Sequence, residues 1–244
     1  MNEATTRRTP GIFLTGTSTG VGKTRIASAW ARALRPSGLR VVALKPVASG
    51  AHRDADGRLC NEDALALQAA APVRLPYEQV NPCCFEPAIA PHLAAEEAGQ
   101  VIELEALVDW YGRATHDADL ALVEGAGGWR VPLHPDGFLS DLPERLGLGV
   151  VLVVGLTLGC LNHARLTYEA IEQSGRCRFL GWVANHVDPA FERVDGNLRT
   201  LERLLGAPPL ALLPHDPAGL SGQWAPDGLV ELALRCSSET PDTV

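Results

Sequence analysis

The sequence predicts an α/β fold, one domain built on a mostly parallel sheet with helices on both faces, and three observations predict it. Short apolar runs recur along the chain, each followed by a glycine-rich turn and then a stretch of helical composition, which is the order that βαβ units produce. The runs are continuous in apolar character rather than alternating, as expected when helices cover both faces of a sheet. The length of 244 residues, with 46% hydrophobic and 20% charged, is enough for one large core and excludes a disordered chain.

Taken in order, residues 11–15 read as the first strand and 23–34 as the helix after a glycine loop. Residues 39–44 form a second strand with Lys45 and Pro46 at its C-terminal end. Residues 61–71 have helical composition, with Asn61 as a cap and Pro72 as a stop. The proline-rich piece 72–91 reads mostly as loop. An amphipathic helix at 103–115 precedes the strand 120–123, which delivers Glu124 into another glycine turn. Residues 149–154, 179–184 and 210–213 are further buried strands, and 162–174 and 192–205 fill the helical slots between them. The expected organisation is a tail at 1–10, one domain over 11–221 and a C-terminal segment, 222–244, that is partly disordered.

Charge and composition exclude several functions. The formal charge of -8, from 21 basic and 29 acidic residues without long blocks of either sign, argues against nucleic acid as a partner. The longest apolar stretch, 148–161, is too short for a membrane span and is interrupted by glycines, Thr157 and Cys160. The segment MNEATTRRTP lacks the apolar run of a secretory signal, so the expected location is cytoplasmic, with no membrane partner. Six cysteines at 60, 83, 84, 160, 177 and 236 show no zinc-site spacing and read as reduced residues rather than a disulfide framework.

The chemistry-bearing segments all follow strand ends. In GTSTGVGKT, at 16–24, Gly20 and Gly22 let backbone N–H groups converge on phosphate oxygens, Lys23 reaches the outer phosphates and Thr24 suits magnesium. Five residues separate Gly16 from Gly22, one more than in the common motif, but the loop follows a strand and opens a helix whose N-terminus favours anions. The fold is therefore of P-loop NTPase type. Glu124, in LVEGAGG, ends an apolar strand and either holds magnesium or is an ordinary strand-end acid; the phosphate loop favours the metal. Asp63, in NEDALALQ, reads on physics alone as an acid complementing the helix dipole. Lys45, in KPVASG, is either a solvated surface lysine or a cation that stabilises charge in phosphoryl transfer. Ligands of open parallel sheets sit beyond the C-terminal strand ends, so these segments should share one face. The sequence carries no Ser/His/Asp or Cys/His nucleophile motif.

Together with VNPCCFEPAIAPHLAA, VEGAGGWRVPL, LGCLNHARLT, GWVANHVDP and LLPHD, these segments resemble the dethiobiotin synthetase family over residues 11–216. The resemblance implies an ATP- and magnesium-dependent closure of 7,8-diaminopelargonic acid with carbon dioxide to dethiobiotin, in biotin biosynthesis. By position it implies ATP binding by Gly20, Val21, Gly22, Lys23, Thr24, Arg25, Asp63, Glu124, Gly125, Ala126, Gly127, Asn185, His186, Pro214, His215 and Asp216. Lys45 and Lys23 would be catalytic, and Thr24, Asp63 and Glu124 would hold magnesium. Thr19, Ser49, Gly159, Cys160 and Asn162 would contact the substrate, the last three across a homodimer interface. Ser18, Thr157, His186 and His215 stand where other residues are common in the family. A cobyrinic acid amidating synthetase lacks support because no glutaminase domain fits, and a partition-type ATPase because neither Thr17 nor Ser18 is the extra lysine such switches carry. A nucleotide-binding regulator without turnover is the reading from a different class.

Overall fold

The computed structural model describes residues 8–215 and 227–238. Six strands, β1 (Gly11–Gly16), β2 (Val41–Leu44), β3 (Leu120–Glu124), β4 (Gly149–Gly155), β5 (Arg178–Asn185) and β6 (Ala211–Leu213), form one sheet. Their order across the sheet is β2-β3-β1-β4-β5-β6 and every neighbouring pair is parallel. The chain leaving β1 goes to the β2 side, and the chain leaving β4 goes to the β5 side. The crevice beyond the carboxyl ends of β1 and β4 is therefore the topological switch point.

Side-chain alternation explains why both faces are apolar. Ile12, Leu14, Val41, Ala43, Leu120, Leu122, Val151 and Val153 share one core cluster, whereas Phe13, Val42, Leu44, Ala121, Val123 and Val150 belong to another. The first face is covered by α1 (Lys23–Ala33) and α2 (Glu62–Ala70), with Ile26, Trp30 and Leu67 fully buried. The opposite face is covered by α3 (Leu104–Ala114), and towards β5 by α4 (Cys160–Ser174) and α5 (Val194–Leu205), which pack on Leu152, Val154 and Trp182.

Most expected elements occur within one or two residues of their predicted ends, and four stretches differ. Within 72–91, Tyr77–Val80 is a short helix and Cys83–Cys84 pairs in parallel with Val47–Ala48. Pro91–Glu97 and Asp141–Leu146 are helices that the sequence reading passed over. Part of the stretch read as a C-terminal tail is a helix, α6 (Asp227–Ser238). Its Leu229, Leu232, Ala233 and Cys236 follow helical spacing and complete the cluster that holds Ile26 and Trp30, so burial of an apolar stripe fixes this segment.

Candidate active site

The loop after β1 is shaped by its glycines. Thr17 donates its N–H to the Val153 carbonyl at 3.0 Å, which pins the loop to the end of β4. Gly20 and Gly22 have φ of 77° and 89°, a left-handed conformation that side chains strain to adopt. Gly22 caps α1 without a side-chain hydrogen bond among the described residues, so the first N–H groups of that helix face the loop as an anion site. Val21 is buried beneath the loop, and Arg25 stands half-buried in the first turn of α1.

Four charged side chains from four separate segments meet beside this loop. Lys45, at the end of β2, donates Nζ to Glu124 Oε1 (2.5 Å) and the Gly125 carbonyl (3.1 Å), and it forms an ion pair with Asp63 Oδ2 (3.3 Å). Thr24 donates its hydroxyl to the same Glu124 Oε1 at 2.8 Å. Lys23 Nζ donates to the carbonyls of Ser18 (3.1 Å) and Gly127 (2.7 Å), which stretches the lysine along the loop. Burial, and next the Lys45 ammonium, push the Lys23 pKa down to about 8, against the attraction of Glu124 and Asp63.

Glu124 is 1% exposed, and its second oxygen, Oε2, is buried with no hydrogen-bond partner. A desolvated carboxylate oxygen is costly unless a cation or donor meets it. Thr24 and Glu124, with Asp63 at the far side of Lys45, are the oxygen set that a small hard cation accepts. Their chemistry fits magnesium.

The remaining predicted residues divide into groups. Gly125, Ala126 and Gly127 continue from Glu124 around the lysines, and Thr19 lies exposed with its hydroxyl close to Gly127. The Ser49 carbonyl accepts from Asn61 Nδ2 at 3.3 Å. Asn185, 1% exposed at the end of β5, donates Nδ2 to the Val21 carbonyl at 2.8 Å and leaves Oδ1 without a partner. The His186 and His215 rings lie 6.0 Å apart, and Pro214 and His215 are exposed. Asp216 lies outside the described residues.

Gly159, Cys160 and Asn162 are apart from the charged centre. They line a cavity of about 500 Å³ together with Asp188, Phe191 and Asn197. Gly159, at φ 95°, opens α4, and the neighbouring Leu158 is 95% exposed.

Two residues close to this centre were given no role by the sequence, although Asn81 lies in the family-like segment VNPCCFEPAIAPHLAA. Asn81 is 3% exposed and donates Nδ2 to the Lys45 carbonyl at 2.7 Å, and Tyr77 donates its hydroxyl to Asn81 Oδ1 at 2.9 Å. Reading 72–91 as loop hid both.

A family model described as an AAA domain matches residues 10–219. The ATP-dependent dethiobiotin synthetase BioD of Pseudomonas paraeruginosa is 54% identical over 207 residues, covering 84% of this chain and 90% of that one. The enzyme of the same name from Chromohalobacter salexigens is 50% identical over 212 residues, covering 83% and 89%. Among solved structures, the MinD cell division protein of Aquifex aeolicus superposes with a TM-score of 0.55 at 17% identity, over 94% of this chain and 98% of that one. At that identity the likeness shows the shared fold.

Proposed function

The chain belongs to the ATP-dependent dethiobiotin synthetase family, and on that premise we propose that the centre joining Lys23, Lys45, Asp63 and Glu124 is where it performs this chemistry. The enzyme is an ATP-dependent ligase that closes the ureido ring of dethiobiotin from 7,8-diaminopelargonic acid and carbon dioxide, giving ADP and phosphate. One amine of the substrate takes up carbon dioxide as a carbamate. A carbamate oxygen attacks the γ-phosphorus of ATP as the bond to ADP breaks, and the second amine then attacks the mixed anhydride carbon, closing the ring as phosphate leaves.

The observation that carries the assignment is the unpartnered Oε2 of buried Glu124 beside Thr24 and Lys45. Thr24, Asp63 and Glu124 would hold magnesium, which supplies charge neutralisation across the outer phosphates when bound. The amides of the Gly20–Thr24 turn cradle the phosphates, and Lys23, already stretched along the loop, carries charge to them. Lys45 faces the carbamate and stabilises the charge that develops during transfer. No protein nucleophile is needed, because positioning and charge neutralisation do the work.

Substrate and base contacts extend from this centre. Thr19 and Ser49 flank the reacting end of the diamine. Asn185 Oδ1, whose amide partner group is committed to Val21, is the acceptor for the adenine amino group, with His186, Pro214 and His215 along the base. Gly159, Cys160 and Asn162 hold the substrate carboxylate at the N-terminus of α4, across a homodimer interface to which exposed Leu158 contributes. No helix among the described residues is long and apolar enough to cross a membrane. Small molecules and a second copy of the chain are the partners in this reading, with no nucleic acid and no membrane.

The test is to incubate the protein with ATP, magnesium, bicarbonate and the diamine, and to follow ADP, phosphate and ring-closed product by mass spectrometry. ADP release should depend on the diamine and bicarbonate together. ATP hydrolysis indifferent to the diamine would instead support a nucleotide-dependent regulator.

A further inference from the structure

We propose that Tyr77 is a positioning residue whose hydroxyl sets Lys45 and the Asp63 helix at their working separation. Two facts give a separate positioning device a role beside the packing of α2 on β2. Lys45 follows directly on β2 and Asp63 stands in the first turn of α2, and the chain between them makes a detour through the hairpin of His52–Arg53 and Leu59–Cys60. No strand ladder spans that gap. The ion pair between the two residues is 3.3 Å long, but the Asp63 side chain is 45% exposed, and water screens such a pair too well for it to fix its own geometry.

The Tyr77 hydroxyl supplies the link. It accepts the backbone N–H of Asn61 at 2.7 Å and donates to Asn81 Oδ1 at 2.9 Å. On one side, Asn61 Oδ1 accepts the N–H groups of Asp63 (3.1 Å) and Ala64 (3.3 Å), and its Nδ2 donates to the Ser49 carbonyl. On the other side, Asn81 Nδ2 donates to the carbonyls of Lys45 (2.7 Å) and Cys83 (3.1 Å), while Lys45 returns its N–H to the Val80 carbonyl at 2.9 Å.

One half-buried hydroxyl thus joins the cap of the Asp63 helix to the backbone of Lys45. Asn61 and Asn81 are 7% and 3% exposed, so water does not readily replace the hydroxyl between them. An oxygen-bearing side chain 1 Å out of place at a phosphoryl-transfer centre costs rate by factors of ten to about a hundred. Tyr77 touches none of the reacting atoms. It acts through Asp63 and Lys45, and therefore rests on the reading of the charged centre given above.

Tyr77→Phe keeps the ring and removes the link. In the full-length enzyme, the expected result is a kcat about tenfold lower and a raised magnesium concentration for half-maximal rate, with the affinity for ADP measured without magnesium within about twofold of wild type, because the phosphate loop is untouched. A purely structural role would lower the melting temperature and the active fraction without moving the magnesium dependence. The deciding comparison is the double variant with Asp63→Ala. If Tyr77 acts through Asp63, Tyr77→Phe costs much less in the Asp63→Ala background than alone; full additivity of the two losses, or an unchanged magnesium dependence in Tyr77→Phe, overturns the proposal. Asp63→Ala alone reports separately on the centre, since wild-type turnover in that variant removes Asp63 from the metal site whatever Tyr77 does. If Tyr77→Phe fails to fold, Asn81→Ser breaks the same link at the Lys45 carbonyl and carries the same two outcomes.

Discussion

Lys23 offers a quantitative test of the site, because its ammonium is held at a pKa of about 8 by burial and by the neighbouring Lys45 charge. If the triphosphate is held by the ammonium form, nucleotide affinity must fall as that proton is lost. With half-titration at pH 8, about nine-tenths of the lysines are charged at pH 7 and about one-tenth at pH 9. The dissociation constant of Mg-ADP should then rise about tenfold between those two values, or about 1.4 kcal/mol. At pH 8 binding should draw in about half a proton per site, because anionic phosphates pull the lysine back to its charged form.

Isothermal titration in buffers of different ionisation enthalpy reads both quantities, and Lys23→Arg serves as the control. That variant stays charged throughout, so its affinity, whatever its level, should be flat with pH. The same proton acts on folding with a definite sign. The folded pKa lies below the unfolded value of 10.5, so the folded nucleotide-free chain binds fewer protons between pH 8 and 10.5. This group's penalty on stability is in full force below pH 8 and is relieved as pH climbs through that window. A Mg-ADP affinity independent of pH from 7 to 9, or the same slope in Lys23→Arg, would refute the assignment of Lys23 as the phosphate cation.

Two substitutions test other parts of the structure. Lys45→Met should lower kcat on the order of a hundredfold, through loss of one preorganised charge contact worth about 3 kcal/mol; it should also lower the melting temperature, because Glu124 is left buried without its ammonium partner. Near-normal turnover would remove Lys45 from the mechanism. Leu232→Ala in α6 should cost about 2–5 kcal/mol in denaturant unfolding, since that side chain is 1% exposed within the cluster under α1, and a loss below about 0.5 kcal/mol would mean that α6 does not seal this face.

The parts of this molecule that were legible in the sequence are those written locally. A strand such as GVVLVVG at 149–155 states its own burial, and the glycines at 20 and 22 state the left-handed turn that aims the loop amides. The convergence of Lys45, Asp63 and Glu124 is different. Each has an ordinary reading where it stands, as surface lysine, helix-dipole acid and strand-end acid, and only pairing of β2 with β3 and the return of α2 bring both carboxylates within 3.3 Å of Lys45. Family resemblance pointed to that set; periodicity and spacing did not. The same limit hid α6, whose apolar stripe is short and follows a Gly- and Pro-containing stretch. It also hid Asn81, whose importance lies in a hydrogen bond to a residue on another segment.

The charged centre is close to self-neutralising, with two lysines facing two carboxylates, and that balance explains its division of labour. Lys45 is saturated by Glu124, Asp63 and the Gly125 carbonyl, whereas Lys23 is tied to two backbone carbonyls that a phosphate oxygen can outbid. In the proposed reading, incoming nucleotide would take Lys23 first, and the carboxylates would then need a further cation to balance the phosphate charge. The bare Oε2 of Glu124 is where that need is already visible. A cation held at that oxygen would compete with Lys45 for Glu124.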